Sequence, residues 1–152
     1  MNIAIREARE DDLQAVLDLY AELGDGPGHQ LTLEEARAQW AQFQRYPSYR
    51  LFVACDEHHP ENLLGSYALL VMHNLAHRGA PSAVVEDVVV SPACQGQGIG
   101  RRMMAHAVQL AREAGCYKLA LSSNLKRTGA HAFYESLGFA QHGLSFVIEP
   151  SA

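Results

Sequence analysis

Ile3 and Ile5 recur at a period of two near the start of the chain, the pattern of a strand over residues 2 to 7. Leu13, Val16, Leu17 and Tyr20 then return at the spacing of one helix face, behind an acidic first turn. The segment Gly24 to Gln30, with three glycines and Pro27, ends that helix. Thr32 and Glu35 are spaced as a capping box in front of Leu33, Ala36, Trp40 and Phe43, so a second helix is predicted with no strand between. Apolar runs at Tyr49 to Cys55 and Leu63 to Met72 flank a polar turn around Glu57 to Asn62, the pattern of a hairpin. A further strand is predicted from about Ala83 to Val90, stopped by Pro92. Ile99, Met103, Ala107 and Leu110 mark a helix that Gly115 ends as a C-cap. Tyr117 to Leu121 is a short strand, Ala130, Phe133, Tyr134 and Leu137 define a helix ending at Gly138, and Phe139 to Ile148 is predicted to return as strand. The predicted order is βααβββαβαβ, an α/β (α+β) arrangement of a mixed sheet with helices packed on it.

The length of 152 residues fits one domain, 1–152, with one core, and no repeat or linker divides it. With 48% apolar and 19% charged residues, the composition is that of an ordinary globular chain. A net charge of −5 argues against a nucleic-acid binder. The charge is uneven: nine of the 17 acidic residues lie between Glu7 and Glu35, whereas residues 78 to 127 hold seven basic groups against Glu86, Asp87 and Glu113. The second half therefore suits an anionic ligand better than the first. Cys55, Cys94 and Cys116 show no CxxC spacing, and the eight histidines make no ligand cluster, so neither a disulfide framework nor a metal site is expected. The start MNIAIREARE turns charged too early for a signal peptide and no apolar run reaches membrane-spanning length; a cytoplasmic protein without membrane partners is expected.

The sharpest chemistry lies in VVVSPACQGQGIGRR at residues 88 to 102. Gly96, Gly98 and Gly100 stand between a buried-type strand and the first turn of a helix. Glycine permits positive φ and close backbone approach, so successive N–H groups can converge at the positive end of the helix dipole, a site for a diphosphate. A P-loop is excluded because no lysine stands there. A dinucleotide fingerprint fails because, after Gly96 and Gly98, its third glycine position is Arg101. Arg101 and Arg102 place cations beside the loop and favour an anion over an empty turn.

Gln95, Gly98 and Gly100 match the Q/RxxGxG/A signature, and the chain resembles the GNAT N-acetyltransferase superfamily. The order of elements and AHAFYESLGF at residues 130 to 139 extend the likeness over nearly the whole chain. SSNLKRTGAHAFYESLGF at residues 122 to 139 is also similar to the aminoalkylphosphonate, small-amine branch. The resemblance implies a mostly antiparallel sheet of six to seven strands, splayed in the middle, with about four flanking helices. It implies acetyl-coenzyme A as co-substrate, with the backbone amides of Gln95, Gly96, Gln97, Gly98, Ile99, Gly100 and Arg101 on its diphosphate. Val88 and Val90 would pair their backbone with the pantetheine arm, and Val88 or Val89 would supply an N–H to the oxyanion. Asn124 would contact pantetheine, and Lys126 or Arg127 a phosphate. The family's usual asparagine position, three residues before Ala130, is Arg127 here, and Asn124 lies six before it. Relatives commonly pair, so the resemblance also implies a homodimer.

An amine with a pKa of about 10.4 is protonated at neutral pH and must lose that proton before it attacks. Glu86 and Asp87 are adjacent on a predicted strand and so point to opposite faces, Glu86 with Val88 and Val90; barring a bulge, only one can line a given pocket. Glu86 is the predicted base, since family members often carry a carboxylate on this strand. Tyr134, four residues after Ala130, matches the family's acid position and would protonate the departing thiolate. The acceptor walls are expected from the first two helices and the loop from about His73 to Pro81. Direct acetyl transfer to a primary amine of a small molecule, in a ternary complex, is the reading adopted. A protein or peptide amine acetyltransferase is the nearest alternative, and a non-catalytic acyl-coenzyme A sensor the alternative from another class.

Overall fold

The computed structural model describes residues 1–23 and 30–151, in two compact units, Met1–Ala120 and Leu121–Ala152. The predicted break at Gly24 to Gln30 lies, but for Gln30, outside the described residues.

Five strands are described: β1 Ile3–Glu7, β2 Tyr49–Asp56, β3 His59–Met72, β4 Ser82–Val90 and β5 Lys118–Leu121. They form one sheet in chain order, and the β1–β2, β2–β3 and β3–β4 pairs are antiparallel. The β2–β3 turn is tighter than the polar residues around it suggest. Asp56 pairs with His59, and the Asp56 carboxylate accepts a hydrogen bond from the His58 amide at 3.0 Å, so the polar residues His59 to Asn62 are already strand. Pairing with β2 overrides their low strand propensity.

The helices are α1 Leu13–Leu23, α2 Leu33–Phe43, α3 Ile99–Glu113 and α4 Thr128–Ser136. The predicted capping box holds α2 as drawn: the Glu35 amide donates to Thr32 Oγ1 at 3.1 Å and the Thr32 amide donates to Glu35 Oε1 at 3.0 Å. Gly115, at φ +74, turns the chain out of α3, and its amide donates to the Arg112 carbonyl. In front of α1, Arg6 grips the buried Asp12 carboxylate with two hydrogen bonds of 2.7 and 2.8 Å, and Asp12 also accepts from the Arg9 amide.

Alternation along β2 divides the core. Leu51, Val53 and Cys55 pack toward α1 and α2, meeting Val16, Leu19, Trp40 and Phe43. Phe52, on the other face, stacks on Tyr67 of β3 at 5.3 Å and meets His106 of α3 edge-on at 5.0 Å. The Tyr67 phenol, fully buried, is hydrogen-bonded to His106 Nδ1 at 2.7 Å.

Two expectations are corrected. The sheet has five strands among the described residues, not six to seven, and Phe139 to Ile148 forms no strand. Leu144, Phe146, Val147 and Ile148 are 82–96% exposed. Apolar residues confer strand propensity, but a strand exists only with a partner for its amides and carbonyls.

Candidate acetyl-transfer site

The predicted phosphate loop is formed as the glycines require. After β4, Ser91 anchors the chain by donating its amide to the Leu64 carbonyl at 2.8 Å, and a turn of 3-10 helix runs from Pro92 to Cys94. Gly96 and Gly98 follow at φ +82 and +80, the left-handed region that a side chain disfavours. Gly98 is the N-cap of α3, where the Arg102 amide donates back to its carbonyl at 3.1 Å. The amides of the first turn, at Ile99, Gly100 and Arg101, have no carbonyl within the helix to bond. A methyl group placed on Gly96 or Gly98 would meet no atom within 4 Å, so the space above the loop is open to a ligand. Exposed Arg101 and Arg102 stand in that first turn. Unpaired donors, helix dipole and arginines together suit a diphosphate.

β4 departs from a regular strand at Asp87. Ala68 pairs with Glu86, but Ser66 pairs with Val89, so one residue of β3, Tyr67, faces two of β4, Asp87 and Val88. This is a β-bulge, and Asp87 within it has φ +53. Past the bulge the alternation is reversed. Val89, not Val88, returns to the face of α1 and α2 and packs against the cluster of Leu51 and Ala68. The expected grouping of Glu86 with Val88 and Val90 on one face is thereby corrected. Gly65 admits the displaced strand: a methyl group there would lie 2.8 Å from the Val89 carbonyl oxygen and 3.1 Å from Met103 Cε.

The bulge delivers Asp87 to a pocket of about 140 Å³ between the sheet and the first two helices. Tyr20, Trp40 and Phe43 give it aromatic walls, and the buried Val16, Leu51 and Ala68 its floor. Trp40 stacks on Phe43 at 5.9 Å, and Phe43 on Tyr49 at 4.3 Å, so an aromatic row runs toward the bulge. Burial, then the Asp87 charge, pushes the Tyr20 phenol up to about 12. Burial, then Asp87 and Glu86, pushes up the Tyr49 phenol. Both carboxylates therefore act on this aromatic row, and both are exposed to an incoming ligand. Asp87 lines the pocket; sequence reasoning passed it over for Glu86, although the two adjacent acids inside the apolar run VVEDVVV were the visible sign.

From the predicted acceptor loop, His77 stacks on Tyr117 at 3.9 Å, which binds that loop to the start of β5. His77 and Arg78 both have positive φ.

Asn124, Arg127 and Tyr134 belong to the second unit. The Asn124 side-chain oxygen accepts from the Lys126 amide at 2.9 Å, which folds its own turn, and Arg127 is the N-cap of α4. Tyr134, on α4, lies against Phe133 and Phe139 at 5.2 and 5.9 Å. Burial raises its phenol above the ordinary value, with Arg127 partly opposing.

A profile of the acetyltransferase (GNAT) family matches residues 4–139. The chain belongs to the GNAT acetyltransferase family. This GNAT enzyme is an N-acetyltransferase with acetyl-coenzyme A as its co-substrate, and the open loop at Gln95 to Arg101 fits the coenzyme's diphosphate. It is 31% identical to the glucosamine 6-phosphate N-acetyltransferase of Trypanosoma brucei brucei over 146 residues, 93% of this chain and 92% of that one. It is also 31% identical to the aminoalkylphosphonate N-acetyltransferase of Salmonella typhimurium over 144 residues, 93% and 88% of the two chains. A solved structure from Agrobacterium tumefaciens superposes with a TM-score of 0.87 at 35% identity, covering 96% of this chain and 99% of that one. Equal identity to relatives named for two different amines fixes the GNAT family and leaves the acceptor to the pocket. Among the described residues no helix is long and apolar enough to cross a membrane.

Proposed function

We propose that this GNAT domain transfers acetyl directly from acetyl-coenzyme A to a primary amine of a small molecule, with both substrates bound at once. The observation that carries the reading is the bulge of β4, which brings Asp87 to a half-open apolar pocket on the strand that leads into the glycine loop. A pocket of about 140 Å³ between α1, α2 and the sheet has room for a compact molecule.

In this reading the amides from Gln95 to Arg101 hold the diphosphate, and the backbone of Val88 and Val90 holds the pantetheine arm. Asn124 and Arg127 make further contacts with the coenzyme. Asp87 and Glu86 attract the ammonium and take its proton, directly or through water. The neutral nitrogen attacks the thioester carbon, and the N–H of Val88 or Val89 steadies the oxygen as it gains charge. The C–S bond breaks, and the Tyr134 phenol gives its proton to the departing sulfur. Its raised pKa supports that role, because the phenol keeps its proton well above neutral pH. A cytoplasmic setting is the reading adopted from the cysteine spacing, and a homodimer is the assembly expected from the family.

Initial velocities measured as free thiol, with acetyl-coenzyme A and amine both varied, test the reading. Intersecting double-reciprocal lines with N-acetylated product are expected. Parallel lines, or tight coenzyme binding without turnover of any amine, would overturn it.

A further inference from the structure

We infer that the acceptor is an amine on an uncharged, apolar body, an arylalkylamine in particular, and not a phosphorylated or phosphonylated amine of the kind named for the relatives above. The inference rests on the proposed function and goes further, by naming the part of the substrate beyond the nitrogen.

Charge decides the first half of the argument. Among the described residues that line the pocket none is a lysine, arginine or histidine, and the one carboxylate is Asp87, with Glu86 beside it in sequence. A phosphate needs cations or converging N–H groups, and Arg is the usual partner for its planar, bidentate contacts. Here it would meet the Asp87 carboxylate. A carboxylate repels a dianion and attracts an ammonium.

Shape and surface decide the second half. Trp40 and Tyr20 present ring faces that attract a cation and an aromatic body alike. Phe43 continues the Trp40 stack toward Tyr49, and Val16 and Leu51 close the floor with aliphatic groups. Among the described lining residues Gln39 is the one side-chain amide, enough for a single hydroxyl or carbonyl on the ring and too little for a polyhydroxylated sugar, which requires a partner at each hydroxyl. An arylethylamine satisfies every group at once: nitrogen at Asp87, short chain past Tyr20, ring against Trp40 and Phe43.

Trp40 is the only tryptophan of the chain, so its fluorescence reports the pocket directly. The test titrates 2-phenylethylamine, butylamine, 2-aminoethylphosphonate and glucosamine 6-phosphate, reading Trp40 emission and, with acetyl-coenzyme A, free thiol. Saturable quenching by 2-phenylethylamine is expected, with kcat/KM at least roughly tenfold above that of either anionic amine, the discrimination an apolar pocket can supply. Trp40→Leu should lower kcat/KM for 2-phenylethylamine several-fold more than for butylamine while leaving acetyl-coenzyme A affinity unchanged. Faster turnover of glucosamine 6-phosphate or 2-aminoethylphosphonate would overturn the inference and leave direct amine acetylation standing. Quenching by 2-phenylethylamine with no thiol release from any amine would overturn the catalytic reading instead. Neither quenching nor turnover by 2-phenylethylamine would overturn the inference outright.

Discussion

Asp87 of β4 and Tyr20 of α1 line the same pocket, and burial together with the Asp87 charge pushes the Tyr20 phenol up to about 12. The carboxylate is thus felt inside the apolar space into which it opens, although it is itself exposed. Asp87→Asn should lower kcat/KM for the amine by roughly 10²- to 10⁴-fold, the usual worth of a positioned base, with acetyl-coenzyme A affinity unchanged. Glu86→Gln should cost less. The same Asp87→Asn change removes a negative neighbour, so the Tyr20 phenol should titrate lower than before in an ultraviolet pH titration. An undiminished kcat/KM in Asp87→Asn would assign the base elsewhere.

Tyr134 is predicted to act as an acid from a half-buried position that favours its neutral form. Tyr134→Phe should reduce kcat without raising the dissociation constant for acetyl-coenzyme A. In the unsubstituted enzyme no loss of rate from this phenol should set in until the pH passes the ordinary tyrosine value of about 10. A kcat equal to wild type in the phenylalanine variant would remove the assignment.

Gly98 holds the N-cap of α3 at φ +80 with open space beside it. Gly98→Ala meets no neighbour, so its penalty is conformational, roughly 1–2 kcal/mol for a left-handed residue with a side chain. The melting temperature should fall by a few degrees, and acetyl-coenzyme A affinity should fall with it, because the strain is relieved by turning the amides away. Gly65→Ala behaves differently, since its methyl group would press on the Val89 carbonyl and Met103 and displace the strand beside the bulge. It should destabilise the protein more than Gly98→Ala in the same thermal measurement.

Asp12 provides the pH dependence of stability. Burial acts to raise its carboxyl, but the hydrogen bonds from Arg6 and the Arg9 amide outweigh this and hold it below the ordinary value. Its proton therefore binds less tightly in the folded chain than in the unfolded one, whose value is about 3.9. The stabilisation is complete above that pH and is lost as the pH falls through the lower folded value. Asp12→Ala strands the Arg6 guanidinium and should cost about 3 kcal/mol at pH 7 by urea denaturation. The acid limb of the stability curve should flatten in the variant, and an unaltered limb would show that another carboxylate controls it.

Features with a local cause were legible before any coordinates. Thr32 and Glu35 cap α2 because the capping box needs only four consecutive residues, and Gly115 ends α3 because a left-handed residue is needed there. The conformation of the glycine loop belongs to the same class, since glycine spacing and a helix start generate its free amides wherever the segment is placed. The predicted β strand over Phe139 to Ile148 failed for the opposite reason. Its residues satisfy strand propensity, yet pairing requires a neighbouring edge that no local pattern specifies.

The acceptor side lies between these cases. The chain itself placed two acids in an apolar strand, and strict alternation could assign only one of them to a pocket. That Asp87 joins the pocket lining was decided by the register of β3 against β4, where Tyr67 faces both Asp87 and Val88. A bulge is a two-strand event: it arises from the mismatch between partners and from the room that Gly65 leaves for the displaced carbonyl. By itself, then, the sequence determined the GNAT order of elements up to β5 and α4, the helix caps and the turn of the glycine loop, because each depends on interactions within a few residues. The tertiary structure alone decided that Asp87 shares a pocket with Tyr20, Trp40 and Phe43, because this depends on which distant residues share a face.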